Sequence, residues 1–141
     1  MNDKPLQLSP YLNFSGNCEE AMNFYKGVMG GDLHISRFSD ANDPSTPEDY
    51  KNKVMHSTLT NDVLSFMASD TRPDASVTFG DSVILSLAGS DEALLTKYFN
   101  GLSEGGEVMM PLAKQFWGDT FGMFTDKFGI NWMVNISAAK Q

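Results

Sequence analysis

Leu8, Pro10, Leu12 and Phe14 alternate with Ser9, Tyr11 and Asn13. This period of two predicts a half-buried strand over 8–14 with one polar face. Asn17 then stands as a helix cap, with Glu20 as its capping-box partner. Ala21, Phe24, Tyr25 and Val28 give that helix an apolar stripe, which Gly30-Gly31 ends. Residues 33–38 read as a second strand. Residues 39–53, rich in Asp, Pro and Ser, read as a loop, and 54–60 with 63–69 as a hairpin around Asn61-Asp62.

The pattern then repeats. Phe14-Ser15-Gly16-Asn17-Cys18-Glu19-Glu20-Ala21 returns as Leu87-Ala88-Gly89-Ser90-Asp91-Glu92-Ala93, and Gly30-Gly31-Asp32 as Gly105-Gly106-Glu107. Thr60-Asn61-Asp62 before Leu64-Ser65-Phe66-Met67 returns as Thr125-Asp126-Lys127 before Ile130-Asn131-Trp132-Met133. The second half accordingly predicts a strand over 82–87, a helix capped by Ser90 with Leu94, Leu95, Tyr98 and Phe99 on its apolar face, and strands over 108–112, 120–125 and 130–136. The fold class is α+β: two tandem β-α-β-β-β modules in a single domain. The first module spans about 6–70, a Pro-, Asp- and Gly-bearing linker about 71–80, and the second about 81–137. Each helix covers one face of its sheet and leaves the other bare, so two such sheets can line a central cavity.

Composition narrows the partners. The chain has 141 residues and a formal net charge of −8, with no basic stripe to displace counterions from nucleic acid or to seek anionic lipid. Its apolar runs fall far short of a membrane span, and Met-Asn-Asp-Lys-Pro lacks the apolar core of a signal peptide. A single cysteine rules out an internal disulfide and suits a reducing cytoplasm. Cys18, at a first helical turn, reads as structural, because neither exposure nor a second reactive group is apparent.

Tyr11-Leu12-Asn13-Phe14-Ser15-Gly16-Asn17-Cys18-Glu19-Glu20-Ala21, with Phe24-Tyr25 and Gly30-Gly31 behind it, resembles the opening of the PhnB-like family. So does the tail, with Phe116-Trp117-Gly118, Phe121-Gly122 and Asp126-Lys127-Phe128-Gly129-Ile130-Asn131-Trp132-Met133-Val134-Asn135. The resemblance covers nearly the whole chain. It implies the vicinal-oxygen-chelate superfamily, with its glyoxalase-like curved mixed sheet, and a homodimer. Relatives carry a demethylubiquinone methyltransferase label. A methyl donor bound in a Rossmann fold needs a glycine-rich turn after the first strand, where Gly16 stands alone.

Enzymes of that superfamily hold a divalent metal with His and Glu side chains from four strands, two per module. The repeat places Ser9 and Ser82 at these positions on the first strands, and Met67 and Met133 on the last. Sliding each strand by two brings in Tyr11, Ile84, Ser65 or Ser69, and Asn131 or Asn135. Hydroxyls and thioethers do not suit a divalent cation. The chain has two histidines. His34 lies on the second strand, where the superfamily offers no ligand, and His56 lies on the third beside Thr58 and Thr60. The expectation is therefore no metal and no cofactor.

The faces expected to look inward carry Tyr11, Asn13, His56, Thr58, Ser65, Met67, Ser69, Ser86, Asn131, Met133 and Asn135. Neutral hydrogen-bonding groups mixed with methionine suit a small, mostly uncharged or aromatic ligand. His56 is the one general acid or base in the set, against a purely structural histidine bonded to a neighbouring strand. Trp117, before the seventh strand, either caps the cavity and stacks on an aromatic ligand or anchors a core or dimer interface. Trp132 alternates with Asn131 and Met133 and should face the helix layer. The expected function is metal-independent small-molecule binding. The alternatives are a lyase, isomerase or dioxygenase using His56 as base or metal ligand, and a resistance protein that sequesters a planar drug.

Overall fold

The computed structural model describes residues 5–138. Residues up to Val77 form one compact unit and those from Thr78 a second. In the first unit the elements are β1 (Tyr11–Phe14), α1 (Cys18–Met29), β2 (Asp32–Arg37), β3 (Val54–Thr60) and β4 (Ser65–Asp70). Two short 3-10 turns, Phe38–Ala41 and Glu48–Tyr50, lie in the loop between β2 and β3. In the second unit they are β5 (Leu85–Gly89), α2 (Glu92–Ser103), β6 (Glu107–Lys114), β7 (Thr120–Thr125) and β8 (Asn131–Ile136). The first sheet has the order β1-β4-β3-β2 and the second β5-β8-β7-β6. In both, the first and last strands are parallel and the other pairs antiparallel. The duplication in sequence is thus a duplication of topology.

The repeated glycines have a steric cause. Gly30 and Gly105 end the two helical segments at φ 74° and 79°, in left-handed conformations that suit glycine. The next glycine in each pair passes against a neighbouring strand. A Cβ on Gly31 would sit 2.6 Å from the Thr60 carbonyl oxygen, and one on Gly106 would sit 2.2 Å from that of Thr125. The repeated turn that follows is also built alike. Asn61 Oδ1 accepts from the Val63 and Leu64 amides, and Asp126 Oδ1 accepts from those of Phe128 and Ile130.

Each helix covers one sheet face. Cys18, Ala21, Met22, Tyr25 and Met29 are buried along α1. Tyr25 meets Phe66 edge-on at 5.9 Å, over a layer that includes Phe14, Leu59 and Ala68. In the second unit Phe99 of α2 meets Phe124 at 5.0 Å, and Phe124 stacks on Trp132 at 6.4 Å. A Cβ on Gly122 would lie 2.7 Å from the Phe99 ring, so the helix packs directly on bare backbone there. Trp132 is buried on this face as its alternation requires, and its indole N–H donates to Asp126 Oδ2 at 2.9 Å. Each fully buried large apolar side chain contributes about 1.5–3 kcal/mol.

Several boundaries differ from expectation. The first strand begins at Tyr11 rather than 8, because Leu6 and Leu8 stay fully exposed and find no apolar partner. β5 begins at Leu85, three residues later than expected, and β6 runs to Lys114 through two register irregularities. The expected capping box at α1 is absent: the Asn17 side chain makes no cap bond. The cap comes from β4 instead. Asp70 Oδ1 accepts from the amides of Gly16 and Cys18 at 2.8 and 2.9 Å, and its Oδ2 accepts from Val54 at 2.9 Å. A carboxylate held by the adjacent strand outcompetes a local amide, since it neutralises helix-end donors without bending the chain. At α2 the cap is Asp91, not Ser90, and its side chain accepts from Leu94 at 3.0 Å.

Candidate functional site

Strand register sorts the side chains onto faces, since directly paired residues project to the same side. In the first sheet, Tyr11 pairs with Met67, Met67 with Thr58, and Thr58 with His34. Asn13 pairs with Ser69, Thr60 with Ser65, and Ser36 with His56. These residues occupy the face opposite α1. The helix-facing partners are Leu12, Phe14, Ser57, Leu59, Phe66 and Ala68, all buried.

Three of the residues singled out in the sequence meet on this open face. Tyr11 Oη lies 3.2 Å from His56 Nδ1, and Thr58 Oγ1 lies 3.3 Å from His56 Nε2. The imidazole is therefore bracketed by two hydroxyls contributed by β1 and β3. Its orienting groups are hydroxyls, which have no distinctive sequence signature. The Tyr11 and His56 rings are also close, 5.8 Å between centroids. Beside them Ser69 Oγ donates to Asn13 Oδ1 at 3.3 Å. Ser65 lies at the other end of β4, 3.3 Å from the Thr60 hydroxyl.

In the second sheet, Ser86 pairs with Met133 and Met133 with Met123. Ala88 pairs with Asn135 and Asn135 with Phe121. This face is opposite Trp132, Val134 and Phe124, which lie under α2. The Asn135 amide donates to Asp119 Oδ2 at 3.1 Å. That bond, with a second from the Ala138 amide, holds the Asp119 carboxyl below its ordinary range. Asn131 accepts from Thr125 at 2.8 Å and donates to the Gly80 carbonyl at 2.7 Å, so its amide is engaged within the unit. Trp117, half-exposed, stands in the β6–β7 loop with its ring 4.9 Å from Phe116 and 6.4 Å from Phe121.

Phe121, Met123 and His34 belong to these faces and were not among the candidates read from sequence, and neither was Asp119, which bonds Asn135 from the loop before β7. Pairing register is the signal that places the three strand residues, and periodicity gives the side a residue faces without giving its cross-strand partner. Cys18 lies among buried groups, 3.7 Å from Ser57 Oγ, and burial pushes its thiol up to about 12. It is a structural residue.

The same register corrects the positions examined for a metal. Ser9 and Ser82 precede β1 and β5, and the residues facing Met67 and Met133 across the parallel pairs are Tyr11 and Ser86. Each module thus offers one oxygen of a neutral hydroxyl or phenol and one thioether. These donors do not fit a divalent cation. Among the described residues no three His, Cys, Asp or Glu side chains are grouped to hold an ion.

Residues 6–135 match the family described as 3-demethylubiquinone-9 3-methyltransferase. The structure is similar to that of protein PA1353 from Pseudomonas aeruginosa, with 42% identity, TM-score 0.84, and 96% of this chain and 100% of that one covered. A putative 3-demethylubiquinone-9 3-methyltransferase, PhnB protein, from Bacillus cereus is 29% identical over 94% of this chain and 100% of its own, with TM-score 0.75. Protein YjdN of Escherichia coli (strain K12) is 29% identical over 93% of this chain and 95% of its own length. The tandem topology, the repeated turns and these matches together establish that the chain belongs to the PhnB-like family, with the glyoxalase-like fold of the vicinal-oxygen-chelate superfamily.

Proposed function

We propose that this chain binds a small, mostly uncharged or aromatic molecule on its open sheet faces, without a resident divalent cation. The observation that carries this reading is the hydroxyl–imidazole–hydroxyl group of Tyr11, His56 and Thr58 on the sheet face opposite α1. Asn13 and Met67 extend the face in the first unit. Ser86, Met133, Asn135 and Trp117 supply hydroxyl, thioether, amide and indole groups in the second. These groups offer hydrogen bonds and polarisable contact without carrying charge of their own. Ser65, paired off with Thr60, makes a weaker contribution.

The family's methyltransferase description does not extend to a nucleotide-type donor at the first strand–helix turn. The Gly16 and Cys18 amides, which would face an anionic group there, already donate to Asp70. The chain is further taken to act as a homodimer in the cytoplasm. Support comes from β6, an edge strand with Val108, Met109 and Met110 exposed, and from a lone buried thiol.

A thermal-shift screen of planar aromatic drugs against dicarbonyls and thiol adducts tests the binding reading, because a ligand of the folded form raises the midpoint. Hits should weaken in Tyr11→Phe and Trp117→Ala. Hits indifferent to both, or no hits in any class, would sink it. Metal analysis of protein purified without chelators should find no stoichiometric ion; one firmly bound zinc, nickel or iron per chain defeats the metal-free reading. Light scattering should return the mass of two chains.

A further inference from the structure

We infer that the open face of the first sheet accepts a weakly acidic O–H compound, a phenol or an enol, and holds it as its conjugate base with the proton on His56. The inference rests on the binding reading above and gives it a ligand class.

The argument follows from counting protons on the Tyr11–His56–Thr58 chain. A neutral imidazole has one N–H and one bare nitrogen. One flanking hydroxyl must then donate into the ring, and the other accepts from it. With the bare nitrogen at Nδ1, Tyr11 spends its O–H on His56 and only Thr58 has its proton directed away. With the bare nitrogen at Nε2, the roles exchange. An imidazolium has two N–H groups and donates to both oxygens at once. Both hydroxyl protons then turn outward, and the face presents two aimed donors next to a cation. That state is complementary to an oxyanion.

A ligand that brings its own acidic proton drives the switch. Its O–H bond breaks, the proton passes to the imidazole, directly or through one hydroxyl, and the electron pair stays on the ligand oxygen. That oxygen accepts from the outward hydroxyls. No oxidant, metal or second reactant is required. The groups facing His56 do not pre-empt the exchange. β1 adds Asn13, β4 adds Ser65, Met67 and Ser69, and β2 adds Ser36, His34 and Asp32. Of these, His34 and Asp32 are titratable, and they pair with Thr58 and Thr60. Among the described residues neither is hydrogen-bonded to the His56 ring, whose two nitrogens face Tyr11 and Thr58. The Tyr11 and His56 rings, 5.8 Å apart, offer an aromatic surface for the ligand body.

4-Nitrophenol is the probe, since its neutral and ionised forms absorb at different wavelengths. It is titrated into the full chain at about pH 6, where the free probe is mostly neutral. The expected result is saturable binding with the phenolate spectrum. Tyr11→Phe and Thr58→Val should each weaken it about tenfold, the worth of one charge-assisted hydrogen bond. His56→Gln should abolish the phenolate spectrum, with folding checked by circular dichroism. 4-Nitroanisole, which has no acidic proton, should bind at least tenfold more weakly. Binding of the neutral phenol, a phenolate spectrum that survives His56→Gln, or no saturation at millimolar probe overturns the inference. Equal stabilisation by 4-nitroanisole overturns it too, while leaving the binding reading intact. That reading fails separately, on the screen of unrelated ligands.

Discussion

Asp70→Ala removes the acceptor for three backbone amides at once. The carboxylate is buried and takes bonds of 2.8, 2.9 and 2.9 Å from Gly16, Cys18 and Val54. It thereby ties the start of α1 and the start of β3 to the end of β4. A hydrogen bond to a charged acceptor contributes about 1.5–3 kcal/mol, and a buried donor left alone costs about 1–3 kcal/mol. Water can reach part of the helix end, because Gly16 is only half-buried. The low end of the range therefore applies, and the expected loss is about 4 kcal/mol. That is a large share of a stability of about 5–15 kcal/mol. Urea unfolding followed by far-ultraviolet circular dichroism measures it, as a lower midpoint at unchanged slope. Asp70→Asn keeps one acceptor oxygen but turns an NH2 group toward a donor, so it should lose about half as much. A loss under about 1 kcal/mol for Asp70→Ala would refute the assignment of Asp70 as the cap of α1. Equal losses for the two variants would show that the remaining amide oxygen makes no cap.

Gly31→Ala and Gly106→Ala should each cost about 2–4 kcal/mol, because a new Cβ would meet a strand carbonyl at 2.6 or 2.2 Å; urea midpoints equal to the parent's would show that the strands yield. Cys18 should resist a thiol reagent at pH 8 until the chain unfolds, since burial disfavours the thiolate; rapid labelling of folded protein would contradict this. The sign for stability follows: with the folded thiol raised from 9.0 to about 12, its contribution is complete below about pH 9 and lost as pH climbs toward 12, and Cys18→Ala should flatten that fall. Asp119 has the opposite sign, so its contribution is present above its unfolded value of 3.8 and lost as pH falls through its lower folded value. A carboxyl titration by NMR should place its midpoint under 3.8, moving up in Asn135→Ala; a midpoint at or above 3.8 in the parent would remove the Asn135 bond as its cause.

The tandem fold was legible because its most demanding positions recur in the sequence. Two glycine pairs and two Asx-type turns mark the same places in each half, and steric contact with strand carbonyls explains why. Helix cores were legible from spacing alone: Ala21 and Tyr25, then Leu95, Tyr98 and Phe99, are all buried. Caps were not, since the acceptor at α1 comes from Asp70, which is far along the chain. Strand starts were not either. Leu8 fits an alternating pattern and still lies outside β1, because alternation marks where a strand can run and pairing partners decide where it does. That uncertainty carried into the expected metal-ligand positions, where a shift of two residues exchanges Ser9 for Tyr11 beside Met67.

Register also aligns the two halves residue by residue, and the comparison separates frame from surface. Met67 and Met133 are equivalent, each central on the last strand of its module. Around them Tyr11 corresponds to Ser86, Thr58 to Met123, Asn13 to Ala88 and Ser69 to Asn135. Continuing the same register, His56 corresponds to Phe121. The helix-facing side is apolar in both modules apart from Ser57, and the turns and glycines are shared. The open faces have diverged instead, one toward hydroxyls and imidazole, the other toward thioethers, an amide and aromatic rings. Differences of chemical class on the faces opposite the helices, hydroxyls and imidazole in the first unit against thioethers, an amide and rings in the second, are what the proposed binding reading expects.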